Sequence, residues 1–127
     1  MNAARVVSST RSADIFGPKV VRASAGSIFH IPTATAETDE LAQVFARSGL
    51  PVVVGTAHGG EDCFSYLWPR RCILVLGHET RGISAKLGNI ATSRVTIPLD
   101  GRAESLNVAA AGTVLLFAWR QSLRRLA

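Results

Sequence analysis

The hydrophobic pattern of the chain predicts buried strands that alternate with helices. The runs Pro51–Gly55 and Ile73–Leu76 contain no polar side chain, which is typical of strands covered on both faces in a parallel sheet. A further strand is predicted at Arg94–Ile97 and a short one at Ala3–Ser9. Apolar strands separated by helical segments indicate an α/β domain, with a mainly parallel sheet and helices on both faces.

Helices are predicted between these strands. Residues 35–48 carry apolar side chains at helical spacing and are followed by Gly49, a common helix stop. Shorter helices are predicted over Lys19–Ala25 and Ile83–Leu87. The polar, glycine-containing segment His58–Asp62 is predicted to be a loop.

The last third of the chain predicts a long helix from Ser105 to about Arg125. Ser105 and Asn107 precede its apolar run, and either side chain suits the N-cap. Residues Val108–Trp119 are apolar nearly all round, so the helix is expected to be buried on most sides. In a small domain, part of that burial is expected to come from a second subunit. The run is shorter than the ~20 residues that cross a bilayer, so no membrane anchor is predicted.

Length and cysteine usage indicate one intracellular domain. The 127 residues, 47% of them hydrophobic, suffice for a single core, and one domain is expected over residues 1–127. Cys63 and Cys72 show no metal-binding spacing, so no metal site is predicted. Low cysteine usage without a signal peptide favours the reducing cytoplasm.

The charge of the chain favours a polyanionic partner. The formal net charge is +5, and Lys19 and Lys86 are the only lysines, so the positive charge is almost all arginine. Arginine suits bidentate phosphate contacts and stacking on bases, which points towards RNA. The alternative, that these arginines only solvate helix faces, remains open.

Three motifs occur in a fixed order along the chain. The first joins Lys19–Gly26 to Phe29–Pro32, which reads Phe-His-Ile-Pro. The second is Leu76–Gly82, which reads Leu-Gly-His-Glu-Thr-Arg-Gly. The third joins Ile97–Leu99, Ile-Pro-Leu, to Ser105–Val108, Ser-Leu-Asn-Val. Together they resemble the SpoU (TrmH-type) RNA 2′-O-ribose methyltransferases of the SPOUT superfamily.

The resemblance implies a fold, a reaction and partners. The fold would be SPOUT-like, with a trefoil knot in the C-terminal part. The cofactor would be S-adenosylmethionine, whose methyl group is transferred to a ribose 2′-oxygen of structured ribosomal or transfer RNA. The protein would form a homodimer whose active sites draw on both chains.

The resemblance also assigns site residues, position by position. Six residues would line the methyl-donor pocket: Leu76, Gly77, Ile97, Leu99, Ser105 and Leu106. The polar positions associated with catalysis are Glu79, Ser105 and Asn107, and the expected RNA contacts are Arg22 and Arg81. The polar side chains equally suit helix capping and loop hydrogen bonding, and that alternative remains open.

The sequence departs from the family pattern in two respects. His78 stands where asparagine is usual. The earlier Asn-x-Gly-x-x-x-Arg motif, whose arginine is thought to help activate the ribose hydroxyl, has no counterpart in these residues, and we expect the chain to be N-terminally truncated relative to the family. We therefore expect either an RNA 2′-O-methyltransferase or a non-catalytic remnant of the same fold that acts as a dimeric S-adenosylmethionine- or RNA-binding module.

Two unrelated functions find less support in the sequence. A nucleotide-binding α/β protein would need a phosphate loop, and neither Gly-x-Gly-x-x-Gly nor Gly-x-x-x-x-Gly-Lys-Ser/Thr is present. A metal hydrolase would have to use His58, Glu61 and Asp62, which are expected to form a solvated turn.

Overall fold

The computed structural model of the protein describes residues 3–77, 82–102 and 106–126. Within these residues the strands are β1 (Val6–Ser9), β2 (Thr33–Ala36), β3 (Val52–Thr56), β4 (Glu61–Asp62), β5 (Ile73–Leu76) and β6 (Ser93–Thr96). The helices are α1 (Pro18–Ala23), α2 (Thr38–Arg47), α3 (Ala85–Asn89) and α4 (Val108–Arg125), with a 3₁₀ turn at Ser27–Phe29.

All described strand pairs are parallel, as the apolar runs predicted. One sheet has the order β4-β6-β3-β5, and β1 pairs with β2 in a separate two-stranded sheet. In the larger sheet, Val54 of β3 lies opposite Val75 of β5 and Arg94 of β6. The α/β class is confirmed, but the described strands form two sheets rather than one.

Strand β3 is the centre of the core, and helices cover both of its faces. Val52, Val53 and Val54 are at most 2% exposed. Because side chains alternate along a strand, Val52 and Val54 face one way and Val53 the other. The first two join a cluster with residues of α2 and α3, whereas Val53 packs in a second cluster with Trp68 and with Leu115 of α4.

The second core cluster contains the main aromatic packing of the protein. Trp68 is buried, stacks on Trp119 with ring centroids 5.7 Å apart and donates its indole N–H to the Cys63 carbonyl at 2.9 Å. Trp119 donates its own indole N–H to the Pro69 carbonyl at 2.9 Å. These bonds satisfy both indoles while fixing α4 against the segment before β5.

The structure differs from the predicted elements at three places. Strands β2 and β4 were not expected, because β2 is the small, polar sequence Thr-Ala-Thr-Ala and β4 has two residues within the predicted polar loop. Helix α4 begins at Val108 and not at Ser105, which lies outside the described residues. Its N-cap is Asn107, one of the two predicted caps.

Helix α4 is less covered than its sequence predicted. Leu115 and Ala118 are buried, but Leu116 is half-exposed and Phe117 is 64% exposed. The expectation of burial on most sides is therefore wrong for the isolated chain, since the single sheet covers only one face of the helix. Among the described helices none has the length and apolar character needed to cross a membrane.

Candidate functional site

A cavity of about 310 Å³ opens at the carboxyl ends of three adjacent strands. Strands β3, β5 and β6 are parallel, so their carboxyl ends meet at one edge of the sheet, where α/β proteins commonly bind ligands. The cavity is lined by Gly55, Thr56, Ala57, Leu76, Gly77, Gly82, Ile83, Arg94, Val95, Ile97, Leu99, Leu106, Val108, Ala111 and Leu115.

The first half of α4 forms one wall of this cavity. Asn107 starts the helix: its side-chain Oδ1 accepts a hydrogen bond from the Ala110 backbone N–H at 2.8 Å. Val108, Ala111 and Leu115 of the helix line the cavity. Leu115 is 2% exposed and also belongs to the core, so the wall is continuous with the packed interior.

Gly77 brings two segments of backbone into direct contact at the cavity. A Cβ placed at residue 77 would lie 2.5 Å from the carbonyl carbon of Gly82 and 2.7 Å from the backbone nitrogen of Ile83. Only glycine allows this approach. Residues 77, 82 and 83 all line the cavity, so this contact sets the shape of its β5 side.

The lining is mostly aliphatic, with few polar side chains. Thr56 and Arg94 are the only described lining residues with polar side chains. Arg94 donates from Nη2 to the Gly88 carbonyl at 3.3 Å. A pocket with aliphatic walls and backbone groups at strand ends suits a ligand with a flat, largely apolar ring that is oriented by a few hydrogen bonds.

The described residues form neither a metal-binding cluster nor a reactive thiol site. No group of three or more His, Cys, Asp or Glu is close enough to hold a metal within the described ranges. In the segment 58–62, Asp62 uses its Oδ1 to accept the Phe64 backbone N–H at 2.8 Å, as in a turn. Burial raises the pKa of the Cys63 thiol, and it raises that of Cys72 to about 12. Neither cysteine lines the cavity.

The structure brings together most residues that the sequence proposed for a donor pocket. Leu76, Gly77, Ile97, Leu99 and Leu106 all line the cavity. The sixth, Ser105, lies outside the described residues. Their contact with a ligand stays a prediction.

The predicted polar residues are distributed differently. Glu79, Arg81 and Ser105 lie outside the described residues. Asn107 caps α4 and is not among the lining residues. Arg22 is exposed in α1 and does not line the cavity either.

Sequence reasoning missed two walls of the cavity. Gly55, Thr56 and Ala57 lie at the end of β3, and the α4 wall includes Leu115. The wall at the end of β3 could have been found from the sequence, because the run of valines before Gly55 already predicted a buried parallel strand whose end would lie at the site. The α4 wall could not have been found from the sequence, because only tertiary packing selects which helix residues reach the strand ends.

The chain is similar to known RNA methyltransferases. The sequence model of the SpoU rRNA Methylase family matches residues 1–117. The chain is 36% identical over 112 residues to the 23S rRNA (uridine(2479)-2′-O)-methyltransferase of Streptomyces viridochromogenes, covering 84% of this chain and 39% of that protein.

Two solved structures show the same fold. The AdoMet-bound rRNA methyltransferase from Sinorhizobium meliloti superposes with a TM-score of 0.87 at 32% identity, covering 95% of this chain and 47% of the other. A putative RNA methyltransferase of the TrmH family from Porphyromonas gingivalis gives a TM-score of 0.81 at 38% identity, covering 92% of this chain and 48% of the other. The chain therefore spans about two fifths to one half of these relatives.

Proposed function

The chain belongs to the SpoU rRNA Methylase family, and we propose that it is an S-adenosylmethionine-dependent RNA methyltransferase that modifies a ribose 2′-oxygen in ribosomal or transfer RNA. The relatives named above support the reaction class, and one of them is a structure with AdoMet bound. Substrates of this kind would place the reaction in the cytoplasm. The formal charge of +5 agrees with an RNA partner.

The cavity at the strand ends carries the proposal. Its volume of about 310 Å³ lies at the lower end of the ~300–1,000 Å³ typical of small-molecule sites. Leu76, Ile97, Leu99 and Leu106 supply apolar surface for an adenine ring, and the close backbone contact at Gly77 keeps that surface fixed. When bound, S-adenosylmethionine supplies an electrophilic methyl group.

The described cavity residues bind and orient, but they do not offer a base for the ribose hydroxyl. Arg94 is the only ionisable side chain among the described lining residues, and a guanidinium offers hydrogen-bond donors but no acceptor. The proton acceptor must therefore come from outside this set. Glu79, Ser105 and Asn107 remain our proposed active-site positions, and Asn107 also caps α4.

We further propose that a second copy of the chain covers α4. Leu116 and Phe117 of this helix are exposed, as is Phe64 beside it. Two of these residues, Phe64 and Phe117, line a groove of about 350 Å³ together with Ala118, Arg120, Gln121 and Arg124. Exposed apolar surface of this kind marks interaction sites. Phe117→Glu should shift the chain from dimer to monomer in sedimentation, whereas Val44→Glu, an equally exposed position on α2, should not. A dimer that persists in Phe117→Glu would place the interface elsewhere.

The alternative is a non-catalytic module that binds the donor or RNA without transferring the methyl group. The described cavity lining favours it, because that lining contains no side chain suited to act as a base towards the ribose hydroxyl. The two functions predict the same pocket and differ only in the transfer step.

Calorimetric titration with S-adenosylmethionine, followed by transfer of a labelled methyl group to purified ribosomal and transfer RNA, tests the proposal. Leu106→Asp places a carboxylate in the cavity lining, and Leu67→Asp places one at a site that is 77% exposed and outside the cavity. We expect micromolar binding by the wild-type chain and by Leu67→Asp, and none by Leu106→Asp. Binding without transfer would support the alternative. A folded chain that does not bind the donor would refute the methyltransferase and leave only a module that binds RNA.

A further inference from the structure

The loop after β3, residues 57–60, is held in place by a residue that does not touch the cavity. Thr56 and Ala57, where the loop begins, line the cavity. Thr96, the last residue of β6, lies opposite Thr56 in the strand register and is absent from the lining. Both threonines are half-buried, and both hydroxyl groups have hydrogen-bond partners within the protein.

The hydroxyl groups of Thr56 and Thr96 form a directed chain of hydrogen bonds. Thr56 Oγ1 donates its single proton to the His58 carbonyl at 2.8 Å. The 3.1 Å bond between the two hydroxyls must therefore be donated by Thr96 Oγ1. Thr96 Oγ1 in turn accepts the Gly60 backbone N–H at 2.9 Å. The path runs from Gly60 N–H through both hydroxyls to the His58 carbonyl and joins the two ends of the loop.

Gly60, at the far end of the loop, packs directly against the backbone of β6. A Cβ placed at Gly60 would lie 2.6 Å from Thr96 Oγ1, 2.7 Å from the Val95 carbonyl carbon and 2.9 Å from the Thr96 nitrogen. Just beyond Gly60, the Cys63 backbone N–H donates to the Thr96 carbonyl at 3.0 Å. The Thr96 side chain therefore lies where the loop meets the sheet.

We propose that Thr96 is a positioning residue for binding of the methyl donor, acting through the 57–60 loop. This inference rests on the proposed function of the cavity. The β3–β6 pairing uses backbone groups and does not need the Thr96 hydroxyl. Loss of the hydroxyl therefore removes the bonds to Thr56 Oγ1 and to the Gly60 N–H but leaves the β3–β6 and β4–β6 pairings intact. The Thr56–Ala57 wall then loses the contact that holds it to the far end of the loop.

The test compares Thr96→Val, which keeps the shape and removes the hydroxyl, with Thr96→Ser, which keeps the hydroxyl. Thr35→Val is the matched control, because it removes a hydroxyl that bonds Ser8 Oγ at 3.0 Å in the other sheet. The first readout is amide hydrogen exchange at Gly60. Thr96→Val should speed this exchange about tenfold, the factor equivalent to roughly 1.4 kcal/mol and thus to about one net hydrogen bond. Exchange at Val54 in the centre of the sheet should not change.

The second readout is the dissociation constant of S-adenosylmethionine. Thr96→Val should weaken binding about tenfold and raise KM for the donor with kcat unchanged at saturation. Thr96→Ser and Thr35→Val should match the wild-type chain. Unchanged exchange at Gly60 in Thr96→Val, or wild-type affinity despite faster exchange, overturns the inference. Absence of binding by the wild-type chain refutes the proposed function instead, and the exchange at Gly60 still decides whether Thr96 holds the loop.

Discussion

Gly77→Ala is expected to disrupt the donor pocket more than any other single methyl group added to its lining. The new Cβ would lie 2.5 Å from the Gly82 carbonyl carbon, about 0.9 Å short of the 3.4 Å at which ordinary van der Waals contact begins. The atoms that it meets belong to backbone, so no side-chain rotation relieves the clash. The segment containing Gly82 and Ile83 must move away from β5, and both residues line the cavity.

The magnitude follows from the cost of overpacking, ~1–3 kcal/mol for an inserted methyl group. A central value of ~2 kcal/mol corresponds to a factor of about 30 in an equilibrium constant. This free-energy cost lowers both the stability of the fold and the affinity for the donor, because the displaced segment forms a wall of the pocket. We expect a melting temperature lower by several degrees and an affinity for S-adenosylmethionine at least tenfold weaker.

The matched control is Gly88→Ala in α3. There a Cβ meets only Arg94 Nη2 at 3.2 Å and Ile83 Cδ1 at 3.7 Å, and the first of these is the end of a flexible side chain. Alanine is favoured over glycine within a helix by up to ~1 kcal/mol, so this variant should be neutral or slightly more stable. Calorimetric titration and thermal unfolding measure both variants. Wild-type affinity and stability in Gly77→Ala would refute the close contact of residues 77 and 82.

Two further substitutions test the helix cap and a half-buried thiol. Asn107→Ala removes the N-cap of α4 and should lower the free energy of unfolding by ~1 kcal/mol. Asn107→Asp keeps the oxygen acceptor and should leave the free energy of unfolding unchanged. Equal losses of stability in both variants would contradict a capping role. Burial raises the pKa of Cys72 to about 12 from an ordinary 9.0, so its contribution to stability is complete below pH 9 and is lost as the pH rises from there towards 12. The free energy of unfolding, measured with urea at about pH 8 and about pH 10, should fall less between the two pH values for Cys72→Ala than for the wild-type chain. An equal fall in both proteins would contradict the raised pKa of Cys72.

The proposed site combines a fixed wall with walls that depend on side-chain hydrogen bonds. Gly77 fixes the β5 side through direct backbone contact, whereas the β3 side depends on the Thr56 and Thr96 hydroxyls. The start of α4 depends on the Asn107 cap. Gly77→Ala, and loss of the Thr56 hydroxyl, the Thr96 hydroxyl or the Asn107 cap, should therefore each weaken donor affinity, but only Gly77→Ala should do so by steric overlap.

Local sequence predicted the elements whose character comes from their own residues. The valine run of β3 predicted burial on both faces, and Val52 to Val54 are at most 2% exposed. Asn107 was one of two predicted caps because a short polar side chain before an apolar run can accept a free helix N–H. Strands β2 and β4 escaped prediction, because their short and polar sequences become strands only by pairing with β1 and β6.

Strand character was enough to predict the fold class, and the resemblance of three motifs to a known family predicted the family and five residues that line the cavity. The remaining lining residues, and the contacts that hold them in place, depend on tertiary packing. Thr56 and Thr96 are 40 positions apart, and Gly55 and Leu115 both line the cavity from distant parts of the chain. Such pairs meet because parallel strands end at a common edge and α4 packs across it. These pairs cannot be predicted from short stretches of sequence, because the arrangement depends on the order of the strands in the sheet.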